Sequence, residues 1–272
     1  MKKHLLNKHF FENIYKKYNK KTFVSPDPLQ FLYNYENIDD REIVGLIASS
    51  LAYGKVTQIL KSVNIILEQL TPEPSVFLKK SSPAKIRKLF PDFKHRFTNG
   101  KEISSLLLGV KHVINKYGSL YKCFTSCSKP DDKTIVPALT KFTAILKEKA
   151  VEIESNLLPS PENGSACKRP NLYLRWMVRK DRVDPGGWDD IEPSKLVIPL
   201  DTHMYKIGKA LGFTRRNQAD LKSAMEITDG FRNLYPKDPV RYDFAFTRFG
   251  IRDELDMIKF IRQLDDHRQQ IF

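Results

Sequence analysis

Apolar residues recur along this chain at helical spacing, and that pattern organises nearly all of it. In His9–Tyr18 the apolar positions Phe10, Phe11, Ile14 and Tyr15 fall at helical spacing. Ser25-Pro26-Asp27-Pro28 breaks the chain, and the acidic stretch Asn37–Glu42 suits a helix start. The run Ile43–Tyr53 is apolar nearly all round, as a central buried helix should be. Gly54-Lys55 interrupts it. Val56–Leu70 then carries Ile59, Val63, Ile66, Leu67 and Leu70 on one side, and Pro72 and Pro74 end it. Further helices are predicted over Lys85–Leu89, Ile103–Tyr117, Ser119–Cys127 and Ile135–Ile153, with a turn at Thr98-Asn99-Gly100. After a central stretch come Gln218–Leu234, Pro239–Phe249 and a last amphipathic helix around Glu254–Leu264. The chain shows no internal repeat, no low-complexity linker and no alternating run long enough for a sheet. The predicted fold is all-α, with Asn156–Asn163 and Lys180–Pro193 as its longest loops.

The stretch from Leu157 to Leu211 departs from plain helix packing. Ser165 is the expected N-cap of a helix whose first turn holds Lys168, Arg169 and Pro170, and proline is tolerated there because its missing N–H costs nothing. The positive end of that helix and the adjacent Arg169 both disfavour a charge on Lys168, which leaves more of it as the free amine that attacks carbon. Asp201 is placed to cap a helix over Thr202–Leu211, and Gly212 to close it. An amine and a carboxylate at two helix starts make a candidate nucleophile and charge stabiliser. Leu172 and Arg175 follow Lys168 at about one and two turns and are expected in the same cleft.

Charge narrows the class of partner. The chain has 272 residues, 41% hydrophobic and 29% charged, an ordinary globular balance. Its apolar runs are too short to span a membrane, and its basic start lacks the apolar core of a signal peptide, so a cytoplasmic protein is expected. Three cysteines, with Cys123 and Cys127 four apart and Cys167 remote, suit reduced thiols better than disulfides or a metal site. Forty-six Lys+Arg against 32 Asp+Glu give a net charge of +14. That excess favours a polyanionic partner, DNA, RNA or an anionic membrane surface, with a generally basic proteome as the bland alternative.

The segments Leu46–Thr57 and Leu200-Asp-Thr-His-Met-Tyr-Lys-Ile-Gly208 resemble the early helix and the aspartate segment of the helix-hairpin-helix (HhH-GPD) DNA glycosylases. The resemblance spans about Asp40 to Arg252. The central Ala-Cys-Lys-Arg-Pro-Asn and Leu-Arg-Trp-Met-Val-Arg segments most closely resemble a bacterial branch labelled domain of unknown function 2400. The hairpin, Leu158-Pro-Ser-Pro-Glu-Asn-Gly-Ser-Ala-Cys-Lys168, is longer than the usual Leu-Pro-Gly-Val-Gly-x-Lys. The wide spacing from Lys168 to Asp201 is more like that of archaeal 8-oxoguanine glycosylases, and no four-cysteine cluster follows Asp201.

The resemblance implies a two-lobed glycosylase-like fold. It comprises a single unit over 1–272, with a helical core at 40–153, a hairpin and catalytic segment at 154–212 and closing helices at 213–272. It implies a monomeric DNA repair glycosylase and apurinic-site lyase that excises an oxidised base, 8-oxoguanine first among them, from double-stranded DNA. Lys168 would form the Schiff base with Asp201 assisting, without metal or cofactor. An aspartate before a helix is usually only a cap, and the two roles are compatible. Tyr53, Lys55, Gly164, Ser165, Arg169, Arg175 and His203 are the implied DNA contacts, although His203 also reads as an ordinary helix residue and Gly164 as a plain turn. Leu172, Phe246 and Phe249 are the implied base pocket, against a default of core packing for the two aromatics. Trp176 reads as core and Trp188 as a loop anchor. The reading from a different class is a non-catalytic DNA- or RNA-binding protein.

Overall fold

The computed structural model describes residues 2–150 and 157–269. Lys2–Tyr18 (α1) buries Phe11 and Ile14 on the spacing read above. Asp27 then caps a 3-10 helix over Pro28–Asn34 that the apolar pattern does not reveal, its side chain accepting from the Leu29 amide at 3.0 Å. Asn37 caps Ile38–Ser50 (α2), accepting from the Asp39 amide at 2.8 Å. From Glu42 to Ser50 every residue of α2 is buried, as an all-round apolar helix requires.

The acids at the start of α2 serve neighbouring helices. Asp40 accepts from the Ser75 amide at 2.7 Å, at the first turn of Pro74–Lys80 (α4). Pro74 therefore begins a helix where the sequence reading has it end one, because a first-turn proline gives up no hydrogen bond. Glu42, fully buried, accepts from the amides of Leu120 (2.6 Å) and Tyr121 (2.9 Å), which open Leu120–Cys127 (α7). It also accepts from Trp188 Nε1 at 3.2 Å. Burial pushes its carboxyl up to about 7, against the pull of the two amides.

Val56–Glu68 (α3) and Pro83–Arg87 (α5) flank α4. The predicted turn near Thr98 is part of a hairpin, Lys94–His95 (β1) against Thr98–Asn99 (β2), paired antiparallel with His95 opposite Thr98. Asn99 and Glu102 then form a capping box that starts Gly100–Tyr117 (α6). α6, α7 and Val136–Lys147 (α8) pack on one another. The tail of the predicted helix to Ile153, and Asn156 of the next loop, lie outside the described residues. Among the described residues the fold is all-α apart from that hairpin.

Lys168–Val178 (α9) packs on α2 so closely that a Cβ on Gly45 would lie 3.2 Å from the Tyr173 ring. Thr202–Ala210 (α10), Leu221–Leu234 (α11), Asp243–Ile251 (α12) and Met257–Gln269 (α13) follow. α10 contacts the other three, and α12 packs on α1. One continuous set of buried apolar side chains runs from Phe11 to Leu264 through all of these helices. Trp176 and Trp188 are fully buried in it, Trp188 stacked on Tyr121 with ring centroids 5.6 Å apart.

Candidate functional site

A cleft of about 580 Å³ opens where six stretches of chain converge: 26–28, the end of α2 into α3, α9, the start of α10, Ala219 before α11, and α12. That is room for one small molecule or one nucleoside. Lys168, Leu172 and Arg175 line it from α9, Pro199 to His203 from the start of α10, and Asp243, Thr247, Arg248 and Ile251 from α12.

Lys168 is half-buried at the first position of α9, and its Nζ donates to the Ala52 carbonyl oxygen at 3.4 Å. Arg169 does not line the cleft. Its guanidinium donates to the Ser50 carbonyl at 2.8 Å and lies 4.8 Å from the Tyr53 ring centroid. Both cations thus sit on the last carbonyls at the carboxyl end of α2. Ser165 is not the N-cap of α9. Cys167 is, in a left-handed conformation (φ 47°) and without a side-chain cap bond. Ser165 Oγ accepts from the Cys167 amide at 3.2 Å instead, and Ser165 bridges to Asp220.

Asp201 caps α10 as read from the sequence, accepting from the His203 amide at 2.9 Å and the Met204 amide at 2.8 Å. Both bonds fall on Oδ1, which leaves Oδ2 without a partner among the described residues. One oxygen holds the carboxylate in place while the other is available to the cleft. α10 ends at Ala210, and Gly212 follows with φ 70°, the closing role expected of it.

Arg175 reaches the cleft from beneath. It is 3% exposed, donates from Nε to Asp184 at 3.2 Å and pairs with Asp243. Arg179 binds Asp184, Asp181 (2.8 Å) and Asp238 (2.9 Å). Burial opposes its charge, but the three carboxylates outweigh that and hold its guanidinium well above the ordinary value. Burial likewise pushes the Asp243 carboxyl above its usual range, with Arg175 pulling it down and the nearby Asp201 charge pushing it up. Arg175, expected as a DNA contact, is therefore a buried cation of the cleft wall with Nε and Nη1 committed to carboxylates.

Phe246 and Phe249 do not line the cleft. Phe246 is fully buried, 5.2 Å from the Phe11 ring and 5.3 Å from Phe260. Phe249 packs on Tyr18 (5.1 Å) and Phe260 (4.0 Å). Both point from the other side of α12, towards α1 and α13, and the residues facing the cleft are Asp243, Thr247, Arg248 and Ile251. Arg248 is held by Asp27 at 2.9 Å and stacks 4.2 Å over Phe244. Local sequence gave no sign of these, since each becomes a wall only through the packing of α12. Leu172 and His203 line the cleft, and His203 packs against Gly250 so tightly that a Cβ there would meet Nδ1 at 2.0 Å. Tyr53 lines it too, with its hydroxyl within hydrogen-bonding reach of His95 O (3.0 Å) and Thr98 Oγ1 (2.7 Å), so it is anchored. Lys55 is exposed at the N-cap of α3. The Gly164 amide is spent on the Pro161 carbonyl at 2.9 Å and is not available to a phosphate.

Among the described residues no group of three or more His, Cys, Asp or Glu is placed to hold a metal ion, and no helix is long and apolar enough to cross a membrane. Fold and cleft together define an all-α protein with a lysine and an aspartate at one opening. The family model described as a protein of unknown function (DUF2400) matches residues 27–252, and the chain belongs to that family. No curated protein and no solved structure matches it. This overturns the placement in the HhH-GPD superfamily, for which no relationship is found. The two segments that carried it are a buried helix and an aspartate-capped helix, features that many helical proteins share. The implied hairpin also differs: of the described residues between α8 and α9, Pro161–Asn163 form a single 3-10 turn closed by left-handed Gly164.

Proposed function

We propose that this protein processes DNA through a lysine imine, with Lys168 as nucleophile and Asp201 as its partner. The observation that carries the reading is the convergence of the Lys168 amine and the capped Asp201 carboxylate on one nucleoside-sized cleft. The net charge of +14 supports a polyanionic substrate. In the reaction, the free amine attacks C1′ of the sugar. The N–C1′ bond forms as the bond to the base breaks, and the base leaves with that electron pair and takes up a proton. The nitrogen lone pair then forms the C=N bond as C1′–O4′ breaks and O4′ takes up a proton. A base removes a C2′ proton, the C2′=C3′ double bond forms, and the C3′–O bond breaks to release the 3′ phosphate. Asp201 Oδ2 accepts the lysine's proton and stabilises positive charge at C1′. The choice of 8-oxoguanine rested on the glycosylase resemblance and falls with it.

The test is borohydride reduction of the protein with an abasic-site oligonucleotide. A covalent adduct is expected, and Lys168→Gln abolishes it while leaving affinity nearly unchanged. Asp201→Asn keeps the cap, shifts stability by no more than about 1 kcal/mol, and slows base release far more than trapping on a ready-made abasic site. An adduct that survives Lys168→Gln sinks the assignment. Salt-sensitive binding with no adduct identifies a non-catalytic nucleic-acid binder instead.

A further inference from the structure

Phe97 is 72% exposed, the most exposed of the large apolar side chains among the described residues. It stands in the two-residue turn of the β1–β2 hairpin beside Arg96, which adopts a left-handed backbone (φ 53°) that residues with a Cβ rarely take. The turn is mounted on a fixed base. His95 and Thr98 are each 2% exposed, and His95 contacts Ser62 Oγ through Nδ1 (2.9 Å) and the Tyr53 carbonyl through Nε2 (3.1 Å). The Tyr53 ring meets His95 edge-on at 4.7 Å and also lines the cleft. The Arg96 side chain arches over Gly54, where a Cβ would lie 2.8 Å from Arg96 Cδ, and Gly54 is another lining residue. The hairpin tip is thereby braced at the rim of the cleft.

We infer that Phe97 is a nucleobase-stacking residue, inserting into a DNA duplex beside the nucleotide held in the cleft. A lone ring on a rigid mount suits a gap between bases, whereas a protein or lipid partner calls for a wider apolar patch. The exposed charges nearest the ring in sequence, Lys94 and Arg96, are cations, and the Arg96 guanidinium lies 5.4 Å from the Phe97 ring centroid. The inference rests on the cleft being a DNA site, and its test separates the two.

Trp176 and Trp188 are fully buried, so Phe97→Trp adds the one solvent-facing indole among the described residues. The probe is a duplex carrying a tetrahydrofuran abasic analogue, which cannot form an imine, with an intact duplex and phosphatidylserine vesicles alongside. We expect quenching of the indole by the abasic duplex. Phe97→Ala should bind that duplex about tenfold more weakly, the loss of one stacking contact, with thermal unfolding unchanged. An unaltered indole while anisotropy reports bound duplex, or equal binding by Phe97→Ala, overturns the stacking role and leaves the lysine site standing. A response to vesicles but not to DNA also overturns it, in favour of a membrane contact. Failure of the parent protein to bind either duplex overturns both readings.

Discussion

Two of the helices that wall the cleft, α9 and α12, present residues at nearly the same spacing but differ in how far their sequences reveal it. On α9 the wall is Lys168, Leu172 and Arg175, all read from the sequence as one face. On α12 it is Asp243, Thr247 and Ile251, with Arg248 beside them, and the sequence reading chose Phe246 and Phe249 on the other side. α9 has a chemical landmark at its first residue, and helical spacing does the rest. α12 is buried continuously from Asp243 to Arg248 against different neighbours on each side, so its apolar pattern has no phase to read. The aromatic side of such a helix packs the core, and its smaller or charged side is left to the cleft.

The largest expected effect tests whether α9 ends in structure or in function. Arg175→Ala leaves Asp184 and Asp243 buried with less compensation and should cost about 3–5 kcal/mol in chemical denaturation. A cost under about 1 kcal/mol would mean that Arg175 is held for the substrate and not for the fold. On α12, Phe246→Ala should cost about 3–5 kcal/mol as a core truncation, with weakened DNA binding only through unfolding. Ile251→Ala, 38% exposed at the cleft, should stay within about 0.5 kcal/mol in stability yet weaken binding of an abasic oligonucleotide. The reverse outcome would exchange the two faces of α12.

The smallest effect concerns the support behind the start of α9. Asp220 pairs with Arg216 at 2.7 Å, caps α11 through the Ser223 amide at 2.9 Å and bridges to Ser165. The Arg216 hydrogen bond, followed by the Ser223 amide, holds its carboxyl down from 3.8 to about 2. A lowered value means that this stabilisation is complete above about pH 4 and is lost as pH falls towards 2. Amide exchange at the start of α11 should quicken across that window, and exchange that is flat from pH 5 to 2 would show that Asp220 is not holding the segment.

Sequence alone determined the helical class and the central burial of α2. It also determined the Asp201 cap, the Gly212 stop and the joint orientation of Lys168, Leu172 and Arg175, because each follows from spacing within one helix or at its end. Cap chemistry for α4 and the 3-10 helix was present but passed over: Pro74 and Asp27-Pro28 are start signals as well as breaks. The rest needed the tertiary structure. Whether Arg175 meets phosphate or carboxylate depends on Asp184 and Asp243, one in the following loop and the other on α12. That Cys167, not Ser165, starts α9 depends on the contacts of the preceding loop with Asp220. That Phe97 stands at the rim depends on Tyr53, more than forty positions away, gripping the base of its hairpin. Local periodicity and capping are properties of neighbouring residues and can be read along the chain. A cleft is made where distant segments meet, and long-range packing alone decides which side chains they bring there.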